Sequence, residues 1–277
     1  MTKYSPSPRP TFDGPTRITR GDVTRHVWGD HEAGEVNDWI YASTDKVHCL
    51  VFGVGPQGSY RHSEEFRTVF GADEYLHVLE GEMILMSPET GHVVHVPTGH
   101  GASFGPNTWQ HVYAHGGQPL RVLELFAPPP SAGTSGAHAR TRPYLEREQW
   151  RYHRDEDLVA GRPADGPFRV HDGRDAMLRY EPGVLTGVEL AAEHLTAGWI
   201  ELSPGGISQQ HAHGGDLILF ALTPGTYVRA SDGDGEVVAE LGPEDVMYVP
   251  AGSTYDLRNV GATTCRLVFG VAPSFLP

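Results

Sequence analysis

Cysteine is nearly absent. The 277 residues include only Cys49 and Cys265, far apart and in no C-x-x-C spacing, so no disulfide framework is expected and the cytoplasm is the expected compartment. Basic residues are also scarce: 21 Lys and Arg stand against 35 Asp and Glu, a formal charge of −14. That field repels phosphate backbones, and no Lys/Arg run offsets it locally, which argues against nucleic acid as a partner. Apolar runs stay well short of a bilayer span and residues 1–20 hold no hydrophobic leader segment, so no membrane association is expected.

Glycine and proline are plentiful instead. The 34 Gly and 22 Pro fall between short runs of β-formers, a pattern of many tight turns and few long helices. An all-β fold follows, and the length suits two domains that each bury a core. Residues 1–35 read as an extended arm, with four prolines in the first 20 positions. Strand candidates begin at Trp39 to Ser43 and at Val47 to Val54, the latter apolar enough to be covered on both faces. From Glu74 the residues alternate, so that Glu74, Leu76 and Val78 share one face of a strand and Tyr75, His77 and Leu79 the other. Residues 143–160, dense in alternating charge, predict a helix inside a linker over 131–184.

The chain also repeats itself. Gly225 follows Gly81 by 144 positions, Pro250 follows Pro106 by 144, and the run Arg266 to Pro273 follows Arg121 to Pro128 by 145. Matched turns and a matched closing strand indicate a duplicated domain, with copies at 36–130 and 185–277.

Within these copies the chemistry-bearing residues stand at regular spacings. Six residues separate Glu74 from Gly81, four separate Pro106 from His111, and His62 stands upstream of both. The second copy carries Gly205-Gly-Ile-Ser-Gln-Gln-His211-Ala-His213 and Pro250-Ala-Gly252-Ser-Thr-Tyr255-Asp-Leu-Arg-Asn259. In these stretches the chain resembles the cupin family, whose motifs run G-x5-H-x-H-x3–4-E-x6-G and G-x5-P-x-G-x2-H-x3-N. The resemblance implies two antiparallel β-barrels of the jelly-roll or double-stranded β-helix kind, a bicupin, with metal inside.

In the first barrel the resemblance implies His62, Glu74 and His111 as metal ligands. Glu64 would be a fourth ligand or a general base, and Trp109 a group that stacks on a substrate ring. About five more residues separate His62 from Glu74 than the motif allows, so the chain must bulge there. A carboxylate in an apolar strand is costly to bury unpaired, so Glu74 needs a metal or an arginine such as Arg67. In the second barrel Leu217 or Ile218 takes the motif's glutamate position, with Asp216 beside it, and Tyr255 stands for the second-motif histidine. His211, His213, Asp216 and Tyr255 therefore make a candidate second site, a poor one for a divalent ion unless Asp216 bends in.

Two imidazoles and one carboxylate suit non-haem Fe(II), and Zn, Mn or Ni bind the same ligands. The expected function is that of a metal-dependent dioxygenase or related oxidoreductase acting on a small organic molecule, aromatic ones included. Two readings stay open beside it: a redox-silent metal-dependent isomerase, cyclase or lyase, and a small-ligand-binding bicupin without turnover. A homodimer is expected, because the arm and the apolar outer strand faces need covering.

Overall fold

The computed structural model describes residues 7–31, 33–61, 68–129, 139–141 and 166–277. The described residues form strands and no helix. The helix expected at 143–160 lies outside them, as do His62, Glu64 and Arg67.

The first half runs β1 (Thr16–Ile18), β2 (Thr24–Asp30), β3 (Gly34–Ser43), β4 (His48–Val54), β5 (Ser59–Tyr60), β6 (Thr68–Phe70) and β7 (Asp73–Glu80). It continues with β8 (Glu82–Met86), β9 (Val93–Pro97), β10 (Gly101–Phe104), β11 (His111–His115), β12 (Leu120–Ala127), β13 (Ala139–Thr141) and β14 (Arg169–His171). The second half runs β15 (Met177–Glu181), β16 (Val184–Ala191), β17 (Thr196–Leu202), β18 (His211–Ala212) and β19 (Asp216–Ala221). It ends with β20 (Thr226–Ser231), β21 (Glu236–Leu241), β22 (Val246–Val249), β23 (Thr254–Asn259) and β24 (Cys265–Ala272).

Strand for strand, the halves match. One large sheet is ordered β10-β7-β12-β4-β3-β2 and the other β22-β19-β24-β17-β16-β15, while the small sheets are β5-β11-β8-β9 and β18-β23-β20-β21. Each large sheet packs on its small sheet around an apolar core, with Leu50, Leu76, Met83, Leu85 and Val112 among the first core and Leu217, Val228, Tyr255, Leu257 and Phe269 among the second. These are two antiparallel barrels of one topology. Each large sheet starts one strand before the expected domain boundary, at β2 and at β15.

The two large sheets also pack back to back. Cys49, Val51, Tyr75, Leu123 and Leu125 of the first meet Ala197, Ile218, Phe220 and Val268 of the second in a third core. That explains the unbroken apolar run of β4. His48, Leu50, Phe52 and Val54 alternate with Cys49, Val51 and Gly53, so one face fills the barrel and the other fills the joint. The edges are exchanged: β1, from the arm ahead of the first barrel, pairs with β22 of the second, and β14, from the segment ahead of the second, pairs with β10 of the first. The expected arm thus lies along the other barrel of its own chain, and each exchange covers a sheet edge that would otherwise be open.

Register refines the repeat. Inward Glu74 pairs with Phe104 and Phe126 as inward Leu217 pairs with Val249 and Val271, and the closing runs Arg121 to Pro128 and Arg266 to Pro273 set β12 to β24 at 145, so β10 maps to β22 at 145 and β7 to β19 at 143. Val112 pairs with Leu85 and Tyr255 with Ala230, which sets β11 to β23 at 143 and β8 to β20 at 145. The sequence offset of 144 is an average that no paired strand follows. Gly81 and Gly225 are both left-handed turn residues ahead of the return strand, with φ of 77° and 96°. Pro106 does not match Pro250: the left-handed turn residues that follow are Asn107 and Gly252, which sets Gly105 level with Pro250.

Candidate functional site

The first barrel encloses a cavity of about 90 Å³ whose walls include Trp28, Phe52, Tyr60, Phe70 and Phe126. Three carboxyl groups enter this apolar interior, the expected Glu74 among them. Glu74 points inward from β7 with Leu76 and Val78, as its alternation predicts. Glu124 points inward from β12, and Asp38 from β3. Glu74 and Glu124 are hydrogen-bonded to one another, Glu74 buried and Glu124 half-buried at the cavity wall.

Burial, followed by the Glu124 carboxyl, holds Glu74 well above the usual carboxylate range. Glu124 is pushed up to about 8, first by burial and then by the charge of Asp38. The two therefore share a proton, because two adjacent carboxylates cannot both ionise in a low-dielectric interior. Asp38 is itself raised by burial, offset in part by His26 at 3.5 Å and by the Trp28 indole N–H, which donates to it at 2.8 Å. His48 stands on the same wall, its Nδ1 2.7 Å from the Ser43 hydroxyl, and burial pushes it down to about 3, so it is neutral.

The other first-barrel residues fall elsewhere. Val112 and Ala114 of β11 fill the barrel, so His111 and Tyr113 lie on the opposite face, where Tyr113 packs with Ile84, Met86 and Val93. The expected pairing of His111 with Glu74 as metal ligands is not what the strand provides. One residue of register separates the motif spacing from the observed strand, and in a strand one residue is a change of face. Trp109 is buried but does not line the cavity; its neighbour Gln110 does. Its expected stacking role is therefore not supported by position. Among the described residues no group of three or more His, Cys, Asp and Glu is arranged to hold a metal ion.

In the second barrel a smaller cavity of about 40 Å³ is lined by Arg179, Glu181, His211, His213 and Tyr255 among others. Both imidazoles face the cavity, as the H-x-H spacing predicts. His213 Nδ1 lies 2.5 Å from the Phe275 carbonyl, which can only accept, so Nδ1 carries the proton. Its Nε2 lies 2.9 Å from the Tyr255 hydroxyl, which then donates to it. Glu181, not anticipated from the sequence, takes His211 Nε2 at 2.8 Å and the Gln209 backbone N–H at 2.8 Å.

Asp216 does not join this site. It sits one position before the inward Leu217, so it faces the joint between the barrels. There it accepts hydrogen bonds from the Thr44 hydroxyl (3.0 Å), the Tyr248 hydroxyl (2.9 Å) and the Ala251 N–H (3.0 Å), and Lys46 Nζ is 3.3 Å away. Bending into the barrel would break all of these, so the expectation that Asp216 could complete a metal site is overturned.

Residues 198–271 match the cupin domain family model. The protein described as glyoxylate induced from Pseudomonas aeruginosa superposes with a TM-score of 0.65 at 16% identity, over 98% of this chain and 93% of that one. Oxalate decarboxylase from Bacillus subtilis gives a TM-score of 0.63 at 10% identity, over 97% and 79%. The formate complex of Lactobacillus farciminis oxalate decarboxylase gives 0.60 at 13%, over 94% and 86%. At such identities the likeness concerns the fold, and the chain has the cupin fold. No curated protein sequence matches the chain.

Proposed function

We propose that the chain is a metal-dependent enzyme whose centre is the first barrel and whose substrate is a small organic molecule. The observation that carries this is the Glu74–Glu124 pair. Two carboxyl groups in contact inside the barrel, with the buried Glu74 Oε2 lacking a hydrogen-bond partner among the described residues, form a donor set that a divalent cation would neutralise. An oxygen-rich set suits a hard ion such as Mn²⁺ better than Fe²⁺. His62 and Glu64 are the further donors proposed for it.

Such an ion would supply Lewis acidity toward a substrate oxygen. The chain supplies the rest. Glu74 and Glu124 hold charge or a proton at the cavity wall, Asp38 is fixed by Trp28, and the aromatic walls keep bulk water out. A dioxygenase site of the two-histidine, one-carboxylate kind needs two imidazoles beside Glu74, and His111 is turned away. Lyase or isomerase chemistry, in which a carboxyl group moves a proton, is therefore the better supported reading. The space is about 90 Å³, against about 150 Å³ for an engineered cavity that holds benzene, which suits a small molecule. The relatives of like fold named above include enzymes of oxalate, a molecule of that size class.

The test is metal analysis of the purified chain, followed by Mn²⁺, Fe²⁺ and Zn²⁺ titration and an oxygen electrode. About one equivalent of metal, lost in Glu74→Gln/Glu124→Gln, supports the proposal. Metal-free protein that binds none of the three ions would overturn it, and oxygen uptake with a small acid would restore the dioxygenase reading.

A further inference from the structure

The barrel that matches the cupin family is the one whose residues do not suit a metal. Three features of its interior, none of which needs the first barrel to hold a metal, lead there. The position of the motif glutamate is Leu217, an inward residue of the apolar core that pairs with Val249 and Val271 as Glu74 pairs with Phe104 and Phe126. The position of the second-motif histidine is Tyr255, also inward and opposite His211 on β18. Finally, the two imidazoles that remain are engaged. His213 gives its Nδ1 proton to Phe275 and takes the Tyr255 proton on Nε2, and His211 Nε2 is held by Glu181.

We infer that the second barrel is a metal-free chamber in which the Tyr255 hydroxyl, bonded to His213, stands in place of an ion and the C-terminal segment closes the mouth. A bound cation would need the Nε2 lone pair of His213, and Tyr255 already uses it. Freeing it would leave a buried phenol O–H unsatisfied, which costs on the scale of a lost hydrogen bond. The closure is visible in the contacts of the segment. Besides the Phe275 carbonyl, the Leu276 carbonyl accepts from the Gly214 N–H at 2.9 Å, and the Phe275 ring lies 4.6 Å from His213 and 6.0 Å from Phe269. The Arg179 guanidinium covers that ring at 5.3 Å. With acceptors saturated in this way, the cavity of about 40 Å³ is of a size for a few waters or a small hydroxylic molecule.

The experiment measures bound metal per full-length chain by mass spectrometry after Mn²⁺ or Zn²⁺ loading, with folding checked by circular dichroism. Wild type and His211→Ala/His213→Ala are expected to bind the same amount. In a Glu74→Gln/Glu124→Gln background, which removes the two carboxylates that carry the first-barrel proposal, Leu217→Glu/Tyr255→His is expected to gain up to one equivalent. Loss of metal in the His211/His213 variant, or no gain in the restored one, would overturn the inference. A wild type that binds no metal, together with a gain in the restored variant, would sink the first-barrel proposal and leave this inference standing. Should the alanine variant fail to fold, ¹⁵N spectra of wild-type imidazoles decide instead. His213 should keep a protected Nδ1–H and an unshifted Nε2 under excess Zn²⁺, and a zinc-dependent shift of Nε2 would refute the chamber.

Discussion

The two barrels have one topology and opposite interiors. In the first, an acid stands at each of three inward positions on β3, β7 and β12: Glu74 and Glu124 hold one proton between them, and Asp38 is held by His26 and Trp28. In the second, the position of Glu74 is Leu217, and the polar groups gather at the mouth as mutually bonded pairs, His213 with Tyr255 and His211 with Glu181. A fold specifies where strands run, whereas a handful of inward side chains decides whether the space they enclose is poised for chemistry or settled. The joint between the barrels tells the same story from the outside. Equivalent positions carry unequal loads there, so each comparison below pairs a residue with its counterpart.

The largest difference should appear in metal content. Replacing Glu74 and Glu124 by glutamine is expected to remove more than nine-tenths of the bound divalent metal (on the order of 1.4 kcal/mol per tenfold loss in affinity). Substituting His211 and His213 should leave it unchanged. Mass spectrometry on both variants checks this, and a reversed pattern would place the centre in the other barrel.

Next comes pH. The folded-state pKa of Glu124 is raised, to about 8, so the folded state binds more protons than the unfolded one across this range. Its contribution to stability is therefore full below an unfolded value near 4.5 and is lost as pH rises through about 8. The loss is on the order of 5 kcal/mol in metal-free protein. Denaturant unfolding of the apo chain at a series of pH values should show this decline, Glu124→Gln should flatten it, and saturating metal should reverse it. A decline that survives in Glu124→Gln would assign it to other groups.

Glu74 was legible because an acid interrupts an apolar alternation, and Glu124 passes the same test. Leu120, Val122, Glu124 and Phe126 share the inward face of β12, yet a run that looks apolar overall hides the acid within it. The duplicated topology was legible from matched turns and closing strands. What the spacing could not carry was parity. A two-residue period puts His111 and Val112 on opposite faces, so a count of five from Pro106 ends on the outward neighbour of the inward Val112, and it places Asp216 and Leu217 on opposite faces although they are neighbours. Glu181 was out of reach for another reason: it comes from a strand ahead of the expected domain boundary, and only folding brings it to His211.

The acids at the joint form the next comparison. Asp216 and Asp73 are equivalent by register, at the start of β19 and β7. Asp216 takes three hydrogen bonds and faces Lys46, whereas Asp73 takes the His194 N–H at 2.9 Å. Asp216→Ala should cost about 3–5 kcal/mol, because it leaves a lysine and buried donors unpaired. For Asp73→Ala about 1 kcal/mol is expected. Urea unfolding of both variants measures the ratio, and equal losses would mean that the joint is held by its apolar core alone.

The smallest expected effects belong to a pair of arginines, Arg121 on β12 and Arg266 on β24, which share a register position 145 apart. Arg121 reaches across the joint to Glu244, with Nη1 and Nη2 at 2.8 and 2.6 Å from its two carboxylate oxygens. Its guanidinium also lies 5.6 Å from the Trp39 ring centre, and the Tyr41 hydroxyl donates to the Glu244 carbonyl at 2.8 Å. The side chains of the pair are 16% and 18% exposed. Arg266 instead bonds Glu201 of its own barrel at 2.9 Å, with the two side chains 59% and 31% exposed. A two-pronged, partly buried ion pair is shielded from water and geometrically fixed, whereas a single-pronged exposed one is screened and gives back side-chain entropy. Arg121→Ala should therefore cost about 2 kcal/mol, and Arg266→Ala within about 0.5 kcal/mol of zero. The pH dependence carries a second signature. The Arg121 hydrogen bond holds Glu244 below its ordinary value, so the pair's contribution is present above the unfolded pKa and fades as the medium turns acidic. The difference between wild type and Arg121→Ala should shrink on acidification, and a difference that stays constant would show that the contact of the Arg121 guanidinium with Trp39 matters more than its pairing with Glu244.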